Sequence, residues 1–89
     1  MSVKIIVSLE VENFDHFKSV FEKGRPYREQ AGISESDAYR NIDSQKSAYV
    51  IGTATSKEVF IEFFTSDAQK ERMQNAGSKP AGPPIFLEG

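Results

Sequence analysis

Two short runs of phenylalanine constrain this chain most: Phe14, Phe17 and Phe21, then Phe60, Phe63 and Phe64. Together they hold six of its seven phenylalanines. Their spacing puts each run on one side of a helix. A helix with an aromatic stripe needs an apolar surface to lie on, and the stretches around the runs supply it. Val3, Ile5, Val7, Leu9 and Val11 alternate with Lys4, Ile6, Ser8 and Glu10, which is the period of a strand with one wholly apolar face. Residues 47–54 (SAYVIGTA) are apolar on both faces around Tyr49, Val50 and Ile51, as a central strand requires.

The punctuation between these segments is chemical. Asn13 or Asp15 can cap the first helix through a side-chain oxygen. Gly24 and Pro26 interrupt it, and helix resumes at Pro26, where a missing N–H does no harm. Gly32 ends it. Residues 34–40 (SESDAYR) read as a strand too polar for the centre of a sheet, so they belong at an edge. Residues 41–46 (NIDSQK) read as a turn. Gly52 marks a bulge or a close approach of another group. Thr55 or Ser56 opens the second helix, and Ser66 caps a third helical piece that stops at Gly77. Residues 79–84 (KPAGPP) read as a loop, and Ile85, Phe86 and Leu87 as a short last strand.

The order β-α-β-β-α-β predicts an α+β, ferredoxin-like split βαβ fold. It comprises one domain over residues 1–89, with a four-stranded antiparallel sheet of order 4-1-3-2 and the helices on one face. That leaves the face bearing Ile6, Ser8 and Tyr49 bare. A partly apolar, uncovered sheet face is an interaction surface, and the simplest cover is the same face of a second copy. The expectation is a homodimer packed sheet to sheet.

Composition narrows the partners. With 89 residues the core is thin, and with no cysteine there is no disulfide or thiolate metal site. The net charge of -2, with Lys and Arg scattered, argues against nucleic acid. No apolar run approaches the ~20 residues of a membrane span. The alternating pattern begins at Val3, without the form of a signal peptide, so the cytoplasm is the default location. Glu10, Glu12, Asp15 and Asp37 form no recognised metal-ligand spacing, so no metal is expected.

The stretches VENFDHFKSVFE, RPYREQAGI, DAYRN and TSKEVFIEFFTSDAQKERMQNAGS, followed by a Pro-rich loop into IFLE, resemble the antibiotic biosynthesis monooxygenase-like proteins of the dimeric α+β barrel superfamily. The resemblance spans nearly the whole chain. It implies a sheet-on-sheet dimer with a small pocket between helices and sheet in each subunit. Active members include cofactor-free monooxygenases of polycyclic phenols, quinol oxygenases and haem-degrading enzymes. The haem degraders use an Asn in the first strand, a Trp, and a His in the second helical region. Here there is no Trp, and the one His lies in the first helix. No cofactor is expected.

Oxygenation without a cofactor needs a base for the phenol and donors for the resulting oxyanion. The candidates are His16, Arg25, Tyr27, Arg28, Tyr39, Arg40 and Tyr49. His16 lies about 200° around the helix from Phe14, which favours an exposed histidine or one at the pocket edge. Arg25, Tyr27 and Arg28 sit at the kinked helix end, as a cationic, aromatic pocket mouth or as a solvated terminus. Tyr39 and Tyr49 lie on neighbouring strands, as ligand contacts or as dimer-interface residues. Two functions follow. One is a small-ligand-binding homodimer similar to cofactor-free monooxygenases of phenols or quinols. The other is a non-catalytic dimerisation module with a filled core. A cavity of a few hundred Å³ reaching Tyr27 or Tyr39 would favour the first.

Overall fold

The first strand organises the molecule. The computed structural model describes residues 2–89. In it β1 (Val3–Val11) lies between β3 (Ser44–Ala54) on one side and two short segments, β4 (Ser78–Pro80) and β5 (Ile85–Leu87), on the other. β2 (Ile33–Asn41) pairs with the outer side of β3 and forms the far edge. All pairings are antiparallel. The order from edge to edge is β2-β3-β1 and then β4 and β5 in line, as expected, but with five strands instead of four.

The fifth strand arises because Gly82, Pro83 and Pro84 interrupt the last edge. Proline has no N–H for a ladder and glycine resists extension. Residues 79–84 are therefore not all loop: Ser78–Pro80 pairs with β1, and the Ala81 N–H still donates to the Ser8 carbonyl at 2.9 Å. Pro80 is tolerated there because edge strands leave one side unpaired. The turn expected over residues 41–46 is also tighter. Only Ile42 and Asp43 lie between β2 and β3, and Asn41 Oδ1 accepts from the Asp43 N–H at 2.8 Å.

Four helices lie against one face. α1 (Phe14–Lys23) begins at Asn13, whose Oδ1 accepts from the His16 N–H at 2.9 Å. Gly24 separates it from α2 (Arg25–Gln30), with Pro26 in the first turn. α3 (Lys57–Phe64) is capped by Ser56, and α4 (Asp67–Asn75) by Ser66. Gly32 and Gly77 take the left-handed conformation just past the ends of α2 and α4 (φ +85 and +66), as C-terminal glycines do.

The core follows the alternation. Ile5, Val7, Leu9 and Val11 are 1–4 % exposed and meet Ala48, Val50 and Ala54 of β3 beneath the helices. Of the six phenylalanines in the stripes, only Phe17 and Phe60 are fully buried; Phe14, Phe21, Phe63 and Phe64 are partly covered. Phe17 and Phe21 stack with centroids 5.9 Å apart, Phe60 and Phe64 at 5.3 Å, and Phe86 of β5 meets Phe60 edge-on at 5.7 Å.

Between Ser34, paired with Thr53, and Asp37, paired with Ile51, β2 holds two residues opposite the single Gly52. This is a β-bulge, with Glu35 in the left-handed region at φ +51. It shifts the side-chain parity. Ile33, Ser36 and Ala38 all point into the core, and Tyr39 points to the open face. Gly52 is required because a Cβ there would sit 3.0 Å from Ser36 Cβ and 3.2 Å from Ser36 Cα. A Gly52→Val variant should lose about 1–3 kcal/mol in urea unfolding. Gly82→Ala, where an added Cβ meets nothing within 4 Å, should change stability by no more than about 0.5 kcal/mol.

Candidate functional site

The bulge and the break at Gly24 act on one residue, Arg28. α2 carries Arg28 toward β2, and the bulge turns Ser36 inward to meet it. Arg28 Nε donates to Ser36 Oγ at 2.8 Å, and Nη1 donates to the Phe21 carbonyl in the last turn of α1 at 2.6 Å. The guanidinium carbon lies 3.7 Å from the centre of the Phe21 ring. Gly24 leaves room for it, since a Cβ there would be 3.1 Å from Nη1. Arg28 is 7 % exposed, and its buried Nη2 has no hydrogen-bond partner.

No carboxylate lies within 4 Å of this cation among the described residues. Its compensation is the negative end of α1, offered by the Phe21 carbonyl. Burial lowers the Arg28 pKa from its ordinary value to about 10; Arg25 pushes the same way, while Glu22, Glu29 and Asp37 oppose the shift. At neutral pH Arg28 is a buried cation with one idle donor.

That cation borders a cavity of about 60 Å³ between the helices and the sheet. The sheet side is Ile5, Val7, Leu9 and Val50, and the helix side is Phe17, Phe21, Phe60, Phe63 and Met73. A second cavity of about 40 Å³ lies between α1 and α4 and shares Phe17, Phe21, Arg28, Gln69 and Met73 with the first. Among the described residues, no carboxylate, imidazole, amine or phenol lines either. Arg72 belongs to the second. Its Nε donates to Gln69 Oε1 at 2.9 Å, and its guanidinium lies over the rings of Tyr27 (4.6 Å) and Phe63 (5.6 Å).

Of the candidates named from the sequence, Arg28 alone borders the two cavities. Arg25 lies outside it, 3.1 Å from Glu22 and 3.9 Å from Asp37. Tyr27 is half exposed beneath Arg72. His16 Nε2 donates to the Asn75 carbonyl at 3.0 Å and ties α1 to α4. Arg40 lies 5.9 Å from the Phe14 ring. Tyr39 and Tyr49 are directly paired, but on the opposite face of the sheet. Sequence reasoning missed Ser36, Gln69 and Arg72. For Ser36 a signal existed: Gly52 required a bulge or close contact, and a bulge opposite it reverses the parity of β2. Nothing local marked Arg72, whose ring neighbours Tyr27 and Phe63 come from α2 and α3, or Gln69, which accepts from it.

A four-helix cover on one side of an antiparallel sheet with β1 at its centre is a specific arrangement. This is the fold of the antibiotic biosynthesis monooxygenases. SnoaB, a cofactor-independent oxygenase from Streptomyces nogalater, superposes with a TM-score of 0.74 at 16% identity, covering 99% of this chain and 92% of its own. An antibiotic biosynthesis monooxygenase superposes at 0.68 with 11% identity, covering 98% of this chain and 97% of its own. The structural-genomics protein YJCS superposes at 0.74 with 12% identity, over 100% of this chain and 99% of its own. No family model and no curated protein matches the chain in sequence.

The environment of Arg28 predicts opposite outcomes for its two sides. Ser36→Ala leaves Nε without its buried acceptor and should cost about 1.5–3 kcal/mol in chemical denaturation. Arg28→Met replaces a buried cation by an apolar chain of similar reach and should be at least as stable as the native protein near neutral pH. The unfolded chain holds the Arg28 proton to higher pH than the folded one, so the native protein is penalised below about 10. The stability gap between the variant and the native protein should narrow as pH rises through that value.

Proposed function

We propose that the chain is a homodimer that binds a small phenolic or quinol-type molecule between its helices and sheet, in the manner of cofactor-free monooxygenases. The observation that carries this reading is the aromatic-walled cavity bordered by a buried guanidinium, although at about 60 Å³ it is smaller than the few hundred Å³ expected and reaches neither Tyr27 nor Tyr39. In oxygenation without a cofactor, the ionised ring is the reductant and dioxygen the oxidant. The protein's part is to hold the oxyanion in a water-poor pocket. A buried arginine fixed at two of its nitrogens is suited to that part. The shared fold with SnoaB supports the reading.

The dimer rests on the open sheet face. Ile85, Ile6 and Ile51 form one row across it, and Ser8, Tyr49 and Tyr39 the next. Leu87 adds to the exposed apolar surface at the β5 edge. An apolar stripe of this kind, flanked by the Lys79–Glu10 ion pair at 3.3 Å, suits self-association about a two-fold axis. Tyr39 and Tyr49 then act in the interface, and Arg25 and Tyr27 flank the entrance to the ligand site.

Light scattering after size exclusion should give twice the chain mass of 10.0 kDa at micromolar concentration. Ile51→Glu, which sets a carboxylate beside Asp37, should give the monomer; a monomeric native protein would sink the dimer. A thermal-shift screen should show stabilisation by phenols or quinols and none by haem. His16→Ala should leave any such shift unchanged.

A further inference from the structure

We propose that the second copy covers the open sheet face in one register, with a two-fold axis that crosses the strands level with Val7 and Val50 and sets Lys4 of each copy over Glu10 of the other. This rests on the homodimer reading above and adds the orientation of the partner and the charged pair that fixes it.

The pattern of the face leads there. Along β1 it carries Lys4, Ile6, Ser8 and Glu10 in turn, a cation at one end and an anion at the other. Ile85, Ile51 and Asp37 lie in the row of Ile6, and Tyr49 and Tyr39 in the row of Ser8. Lys4 and Glu10 are both exposed. Lys4 has no carboxylate within 4 Å among the described residues, and its Nζ meets Thr53 Oγ1 at 3.4 Å. A charge covered by a partner needs an opposite charge there.

Two like sheets pack face to face about an axis that runs along the strands or across them. An axis along the strands, between β1 and β3, leaves each row facing itself. It sets Lys4 over Thr53 and Glu10 over Ser47, with Ile85 against Asp37. An axis across the strands on the isoleucine row stacks Asp37 on its own copy. On the tyrosine row it lays Glu10 over Ile6. Midway between the rows, every one of these conflicts disappears. Lys4 then meets the partner's Glu10 at two equivalent places, Asp37 meets the hydroxyl-bearing Tyr39, Ile51 meets Tyr49, and Ile6 meets the smaller Ser8.

Twist does not spoil the match. Lys4 and Glu10 each lie three residues from the axis, about 10 Å along the strand. A crossing of about 30° moves them sideways by about 5 Å, within reach of a lysine side chain. Lys79, 3.3 Å from Glu10 in the same chain, lies one strand further out, so Glu10 is the nearer charge for Lys4 of the partner.

The test measures the dimer dissociation constant by sedimentation at low salt. Within one chain Lys4 and Glu10 are about 20 Å apart on a single strand and cannot pair, so any coupling between them reports the partner. Lys4→Glu and Glu10→Lys should each raise the constant at least about fivefold, because each creates two like-charge contacts. The double variant, with the charges exchanged, should return to within about threefold of the native value. Mixed in equal amounts, the two single variants should pair with each other about as tightly as the double variant pairs with itself. No change inside one chain can produce that result. A native dimer that the single variants leave unchanged would overturn the orientation and leave the dimer standing. So would a double variant as weak as the two single effects combined, or single variants that fail to pair when mixed. A native protein monomeric at every concentration would overturn both.

Discussion

A sheet has two faces, and this chain carries cover for only one of them. The alternation along β1 decides which. Ile5, Val7, Leu9 and Val11 go under the helices, and Lys4, Ile6, Ser8 and Glu10 face away. Because β1 pairs with β3 on one side and with β4 and β5 on the other, its register fixes the parity of its neighbours. The two phenylalanine stripes then have one place to go. The same constraint leaves an isoleucine row and a tyrosine pair on the far side, which is the physical reason for expecting a second copy.

Against that regular background, Arg28 is the exception. A buried arginine without a carboxylate is an expensive residue. The chain accommodates it with three local devices: a glycine at the α1–α2 break that leaves room beside Nη1, a helix end that offers a carbonyl, and a bulge that brings Ser36 inward. Each of these departs from the simplest helix or strand. Departures of this kind, gathered around one side chain next to a cavity, are where a fold trades stability for a site. The remaining nitrogen of Arg28 is buried and has no partner.

Much of the architecture was legible in the order of residues. The strand alternation, the aromatic stripes, the break at Gly24 and the stops at Gly32 and Gly77 are local signals, and each marks the element it names. The expected strand order holds, apart from the splitting of the last edge by its prolines. The candidate site was legible only in part. Arg28 was named from its position at the kinked helix end, but so were Arg25 and Tyr27, and nothing in RPYR says which of them turns inward. On a helix of six residues the answer depends on what lies beneath it, here the bulged strand and the end of α1.

The sequence alone determined which residues seek water and which avoid it, because hydropathy and its period are properties of neighbours along the chain. Tertiary structure alone decided that Ser36 faces the core, that Arg28 reaches it, and that Gln69 and Met73 line the same cavity as both. Those relations join residues far apart in the chain, through a bulge that shifts parity by one position. A two-residue excess opposite Gly52 exists only once β2 and β3 are paired, so no reading of either segment by itself contains it.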